Sequence, residues 1–297
     1  MNWFPQNQVI IQGIDESQAA FYAVQMKAYG TNIVAGVSPG NGGTKVGSIP
    51  VFDLVEQVLT QVEKIDTSLI FVHPYQVLDA ALEAISAGIR QIIIFTSGVP
   101  PLDTISLLKC ALANDTLLLG PGSHGIVIPE QVWLGKLDPQ FYQPGTVGLI
   151  TTSQHLCYEV AWELNQASIG ESIAVSLGTD RIIGSNLSKW LSILNQDSNT
   201  KAIVSIGQSI NDTEEIMAYC QDYDDHKPII AYIAGLKAPQ EKVFRNARTI
   251  IHNHLSASIP VVNTVGQTVA EFKKAGIKVA KRPSEIPALI QQALFKK

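Results

Sequence analysis

The residues of this chain best suited to chemistry gather where apolar runs give way to glycine, hydroxyl and charged side chains. Ile229, Ile230, Tyr232 and Ile233 form a short β-rich run, and beyond Gly235 come Lys237, Lys242, Arg245 and Arg248. Cations after a strand end lie where open α/β sheets bind ligands, so this loop is a place for an anion unless it is simply a solvated basic loop. The turn Gly13-Ile14-Asp15-Glu16-Ser17-Gln18 stands where a dinucleotide fingerprint would, with only the first glycine of that pattern. Asp15 and Glu16 there are expected to cap a helix and to repel phosphate. Gly40-Asn41-Gly42-Gly43-Thr44 is expected to offer backbone amides to an anion. At Ile150-Thr151-Thr152-Ser153-Gln154-His155 a strand runs into a helix start rich in hydroxyls, which suits either an oxyanion or a plain cap.

These stretches need a sheet to bring them together, and the apolar spacing supplies one. Val9 to Gln12 reads as a strand, Ser17 to Tyr29 as a helix and Ile33 to Val37 as the next strand. That order requires a crossover and so a parallel pair with a right-handed connection. Val51 to Lys64 reads as an amphipathic helix, and the alternation then continues through strands at Leu69 to Val72, Ile92 to Phe95 and Leu117 to Leu119. The fold class is α/β, beginning with a Rossmann-like unit. Pro121 to Gly145 interrupts the rhythm, and a second α/β series starts at Thr146 to Ile150. The expected division is a first domain over 1–125, a linker over 126–145 and a second domain over 146–297.

The totals narrow the function classes. With 297 residues there is room for two cores, and 46% hydrophobic with 16% charged residues is a globular composition. A net charge of -5 argues against a nucleic-acid surface. Cys110, Cys157 and Cys220 form no CxxC pair, so no metal site is expected and a reducing, cytoplasmic setting is. No leader-like or long uninterrupted apolar stretch is read, so no membrane partner is expected either.

Set in order, the motifs resemble the α subunit of succinyl-CoA synthetase, the ADP- or GDP-forming succinate-CoA ligase, nearly end to end. Ile11-Gln12-Gly13, Ala28-Tyr29-Gly30-Thr31, Gly36-Val37-Ser38-Pro39-Gly40 and Gly98-Val99-Pro100 carry the likeness in the first half; Tyr158-Glu159, Gly184-Ser185-Asn186 and Ala234-Gly235 carry it in the second. The resemblance implies an N-terminal Rossmann-like CoA-binding domain followed by a flavodoxin-like α/β ligase domain. It also implies coenzyme A as cofactor and a β-like ATP-grasp partner in a hetero-oligomer, with nucleotide and Mg on that partner if the complex is active. CoA would meet Asp15, Glu16, Ser17, Gln18, Asn41, Phe95, Thr96 and Ser97, while Ser153 and Tyr158 would lie near substrate or phosphate.

Several functional positions depart from the family pattern. Asn246, in Arg245-Asn246-Ala247-Arg248, stands at the phosphorylated histidine, and Gln208 stands at the glutamate that orients it. Asn41 replaces a lysine, Asp15-Glu16 a Thr-Gly pair, Ser97 a glutamate facing CoA, and His124 the proline of a turn. An amide nitrogen is not nucleophilic, so Asn246 cannot accept phosphate as an imidazole does. His155, at the helix start that by resemblance receives the phosphate, is the best substitute among six histidines. Two functions follow: a non-catalytic, CoA-binding α-like scaffold, or an active acid-thiol ligase that makes acyl-CoA from acid, CoA and nucleoside triphosphate through a relocated acceptor such as His155. A nicotinamide dehydrogenase is disfavoured, because the glycine fingerprint and a ribose-binding carboxylate are both missing.

Overall fold

The computed structural model describes residues 3–153, 155–207, 216, 219, 220, 226–234, 265–274 and 276–294. The first half is built from β1 (Val9–Gln12), α1 (Ser17–Tyr29), β2 (Ile33–Val37), β3 (Lys45–Val46), β4 (Ile49–Phe52), α2 (Val55–Leu59), β5 (Thr67–Ile70), α3 (Val77–Ser86), β6 (Gln91–Ile94), α4 (Pro101–Ala113) and β7 (Leu117–Leu119). Its strands lie in the order β3-β4-β2-β1-β5-β6-β7, parallel except for β3. The chain goes from β1 to β2 on one side and returns to β5 on the other. Strand order therefore reverses beside β1, and the crevice this opens lies at the carboxyl ends of β1, β2 and β5.

The sheet is buried on both faces, and its side chains divide by the two-residue period of a strand. Ile10, Ile70, Ile92 and Ile94 pack with Val55, Val77, Ala81 and Leu107 of the helices on one face. Ile11, Leu69 and Ile93 face Ala19, Ala23 and Met26 of α1 on the other, in a cluster that runs on into the second half of the molecule.

That second half comprises β8 (Gly125–Ile128), β9 (Val132–Gly135), β10 (Pro144–Thr151), α5 (Leu156–Gln166), β11 (Glu171–Ser176), α6 (Leu187–Gln196), β12 (Ala202–Gly207), β13 (Ile229–Ile233), α7 (Val265–Lys274), β14 (Lys278–Ala280) and α8 (Ile286–Leu294). The order is β14-β13-β12-β10-β11-β8-β9, with β8 antiparallel to both β11 and β9. Trp190 of α6 is fully buried, its indole N–H donating to Ser185 Oγ at 2.8 Å, and α6 is capped by Asn186, whose Oδ1 accepts the Lys189 N–H at 3.1 Å. The chain thus forms two α/β sheets, as the sequence pattern and the resemblance led one to expect.

Two stretches differ from their expected form. Val51 to Lys64, expected as one helix, begins inside β4, which pairs parallel with β2; the helix itself covers only Val55–Leu59. Ile49-Pro50-Val51-Phe52 alternates buried with half-buried residues, a strand signal that the apolar residues after it obscured. The stretch 126–145, expected as a linker, holds a hairpin of the second sheet. Its turn is tight, closed by the Gln131 N–H donating to the Ile128 carbonyl at 3.0 Å, with Glu130 at φ 59. The prolines and glycines that signalled a linker serve at its ends.

The hairpin also packs on the first half. Trp133 meets the edges of Tyr22 and Tyr29 at 6.4 and 5.8 Å between ring centroids, and its carbonyl accepts from Thr31 Oγ1 at 2.7 Å. Tyr29 Oη accepts the Glu130 N–H at 2.7 Å, and the Gly135 N–H points to Met26 Sδ at 3.1 Å. No helix among the described residues is long and apolar enough to cross a membrane.

Candidate functional site

The crevice of the first sheet is bordered by its three expected loops. Gly13 follows β1 at φ +78, where a Cβ would lie 2.9 Å from Val72, so the turn depends on glycine to pass the β5 end. Asp15, Glu16, Ser17 and Gln18 follow it, all exposed. Glu16 occupies the N-cap of α1, yet its side chain makes no capping bond. The expected cap is absent, and the first-turn amides have no side-chain acceptor from it.

The second loop is closed from within. Asp53, after β4, accepts the Gly40 N–H at 2.7 Å and the Gly42 N–H at 3.0 Å through one oxygen. These are amides that the sequence offered to an external anion, so the loop is already organised around an internal one. Asn41 turns inward along the loop, its Nδ2 donating to Ser38 Oγ at 2.8 Å, and its carbonyl accepts from Thr44 Oγ1 at 2.7 Å.

The third loop follows β6 and repeats the device. Phe95 is buried and stacked on Phe71 at 4.3 Å, and Thr96, half-buried, donates through Oγ1 to the Val72 carbonyl at 2.6 Å. Ser97 is exposed. The next two amides, of Gly98 and Val99, donate to the carboxylate of Asp180, at 2.8 and 3.0 Å and at 3.2 Å respectively. Asp180 follows β11, so this bond joins the two halves at the entry to α4.

Where the halves meet, a group appears that the sequence alone did not single out. Lys136 Nζ lies 5.6 Å and 5.8 Å from the centroids of Phe71 and Phe95. Its backbone N–H donates to the His124 carbonyl at 2.9 Å. Burial, with the charges of Lys136 and His155 nearby, holds the His124 imidazole down to about 4, and burial lowers Lys136 as well. His124 Nδ1 is buried without a partner. Lys136, His124 and His155 thus converge, and among the described residues no carboxylate forms an ion pair with Lys136. Long-range pairing of this kind leaves no local sequence signal; only the replacement of a turn proline by His124 hinted at it.

On the second sheet, Ser153 is buried in a hydroxyl turn: its N–H donates to Thr151 Oγ1 at 2.9 Å, and that hydroxyl donates to the Ser153 carbonyl at 2.9 Å. Thr152 Oγ1 is buried without a partner, so it does not cap α5. His155 takes the N-cap position and is exposed, again with no side-chain capping bond. Tyr158 lies one turn further on, its Oη accepting the Asp138 N–H at 3.2 Å; burial raises its phenol above the usual range. It borders a groove of about 400 Å³ with Phe141, Trp162, Glu159 and Glu163. Asn246 and Gln208 lie outside the described residues, Gln208 directly following β12 and Asn246 following β13 in the chain. Among the described residues no group of three or more His, Cys, Asp or Glu is placed to hold a metal ion.

Comparison with known proteins bears on both halves. Residues 5–98 match the CoA binding domain, and residues 144–286 match the succinyl-CoA ligase like flavodoxin domain. The α 2 subunit of ADP-forming succinate-CoA ligase from Archaeoglobus fulgidus is 34% identical over 286 residues, covering 96% of each chain. The α subunit of the same ligase from Aquifex aeolicus is 33% identical over 288 residues, covering 96% of this chain and 92% of that one. Among solved structures, ATP citrate lyase from Methanothrix soehngenii, in complex with citrate and coenzyme A, superposes with a TM-score of 0.82 at 17% identity. That likeness covers 99% of this chain and 50% of the lyase chain, so this chain spans about half of that one. At that identity it speaks for the fold alone.

Proposed function

The chain belongs to the succinate-CoA ligase α-subunit family, and from that premise we propose that it is a CoA-binding α-like subunit in which the phosphohistidine route has been lost. The observation that carries this reading is the coincidence of the CoA binding domain match, over residues 5–98, with a parallel sheet whose strand-order reversal opens a crevice beside β1. The residues there fit CoA in part. The uncapped start of α1 leaves first-turn amides for a phosphate or a carbonyl, and the Gly13 turn lets the chain pass close to the β5 end. Against this, Asp15 and Glu16 are exposed carboxylates beside those amides, Asn41 brings no cation, and Asp53 holds the Gly40 and Gly42 amides. Affinity for CoA is therefore reduced rather than abolished, because its phosphates meet like charge and lose a counter-ion. CoA itself would supply the thiol that an acyl group esterifies; the residues of this chain would bind and orient it.

The non-catalytic part of the reading comes from sequence: Asn246 and Gln208 stand where the family pattern has a phosphorylated histidine and its orienting glutamate. With no imidazole to hold, a neutral Gln208 is what the chemistry requires. The partner is a β-like ATP-grasp subunit, the setting cytoplasmic, and the complex a hetero-oligomer. Thermal unfolding followed against CoA concentration tests the binding claim: the midpoint should rise with ligand as mass action demands, and a flat curve would remove CoA from the account.

One feature favours a second reading, that of an active ligase. His155 is exposed at a helix start, within electrostatic reach of His124, a setting in which it could take a phosphoryl group from a donor. Incubation with the β partner and labelled ATP, followed by an acid-lability assay, separates the two: an acid-labile phosphoprotein lost in His155→Ala supports the ligase, and no label supports the scaffold.

A further inference from the structure

Lys136 is the first residue after β9, and the fold sets it against the crevice of the other sheet. Gly135 makes this approach possible: at φ +127 it lies so close to Phe95 that a Cβ would strike the ring. The Lys136 side chain then extends over Phe71 and Phe95, with Nζ 5.6 and 5.8 Å from their centroids. Those two rings directly follow β5 and β6, so the ammonium group stands at the carboxyl ends of the strands, where open α/β sheets take ligands. Lys136 is half-buried, and among the described residues its Nζ has neither a carboxylate nor a hydrogen-bond acceptor. Unlike His124 Nδ1, that atom is not closed off from solvent, so a guest can reach it.

The charges around it leave it unmatched. The three loops of the crevice bring Asp15 and Glu16, with Asp53 and Asp180 bonded to their amides, and no lysine or arginine. Lys45 on the edge strand β3 and Arg181 after Asp180 are both exposed. The faces of Phe71 and Phe95 attract an ammonium ion but supply no counter-charge. Burial lowers the Lys136 ammonium below the usual lysine range, as desolvation of an unpaired cation does, and a bound anion would offset that loss. We infer that Lys136 binds a phosphate oxyanion in the crevice, as the cation that Asn41 does not supply. The phosphate has two sources: a phosphate group of CoA, or free phosphate at the junction of the halves, where His124 lies within electrostatic reach of both Lys136 and His155. The first source rests on the CoA-binding reading; the second does not.

The test is calorimetric titration of wild type, Lys136→Met and Lys136→Arg with CoA, with its phosphate-free fragment pantetheine, and with inorganic phosphate. Methionine keeps an unbranched stem over the two rings and drops the unpaired charge, so Lys136→Met should unfold no earlier than wild type. If the phosphate is CoA's, Lys136→Met should weaken CoA by about tenfold or more and leave pantetheine unchanged, and arginine should restore CoA binding. If it is free phosphate, wild type and Lys136→Arg should bind phosphate, Lys136→Met should not, and CoA affinity should be the same in all three. CoA and phosphate affinities unchanged in Lys136→Met, or pantetheine weakened as much as CoA, overturn the proposal and leave the CoA reading standing. Lys136-dependent binding of phosphate by a protein that does not bind CoA removes the CoA reading alone; binding of neither ligand by wild type removes both.

Discussion

Glu171 and His124 are both held in their uncharged forms, and they respond to pH in opposite directions. The folded Glu171 carboxyl titrates at about 8 against an ordinary 4.5. Between those values the unfolded chain gives up a proton that the folded chain keeps, so this group's contribution to stability falls as pH rises and is level above about 8. Glu171→Gln removes the loss. The variant should match the wild type in mild acid and exceed it at alkaline pH by on the order of a few kcal/mol in denaturant unfolding. For His124 the sign is reversed. The unfolded imidazole protonates near 6.5, whereas the folded one resists down to about 4, so stability drops as pH falls through that window. His124→Asn should flatten the acid limb of a stability-against-pH curve; an unchanged limb would show that the imidazole is not kept neutral.

At the scale of elements, the loops of the first sheet's crevice are tied by carboxylates from elsewhere in the chain. Asp53→Ala should release the Gly40 and Gly42 amides, raising their hydrogen-exchange rates and costing about 1 kcal/mol for the lost charge-assisted bonds at this half-exposed position. If their exchange stays unchanged, Asp53 is not what holds the loop. These ties also mark what could be read from the sequence. The strands and most helices follow from apolar spacing within a few residues, a purely local signal, and Ile10, Ile11, Leu69 and Ile70 were legible on that ground. Asp53 and Asp180 could not be found that way, since their partners lie 11 to 13 and 81 to 82 positions off and carboxylates in loops are ordinary. The β8–β9 hairpin was hidden for a different reason. Its turn proline and strand-end glycines are linker residues by composition, and only the tertiary partners of Trp133 make it a strand pair. Of the site residues, Phe95 stacks on Phe71 and Thr96 bonds to the Val72 carbonyl, contacts that a residue's place on a sheet edge does not announce.

For the whole molecule, the two sheets share one apolar cluster, running from Ile11 and Met26 through Trp133 to Leu149 and Ile203. The bond from Asp180 to Gly98 and Val99 adds a polar tie between the halves. The halves should therefore unfold together, with transitions coincident whether followed by Trp133 and Trp190 fluorescence or by far-ultraviolet circular dichroism. Asp180→Ala should leave that coincidence intact while lowering the midpoint. Two separated transitions in the wild type would mean that the shared cluster does not couple the halves.

The double allegiance of the β8–β9 hairpin has a consequence for how such chains can be recombined. It hydrogen-bonds as part of one sheet and packs, through Trp133, Glu130 and Gly135, as part of the other. A chimaera with a relative, joined on either side of it, would set a foreign surface against one of its two faces. The two halves are thus not interchangeable cassettes, and a working graft would have to carry Met26, Tyr29 and Thr31 of the first half together with the hairpin of the second.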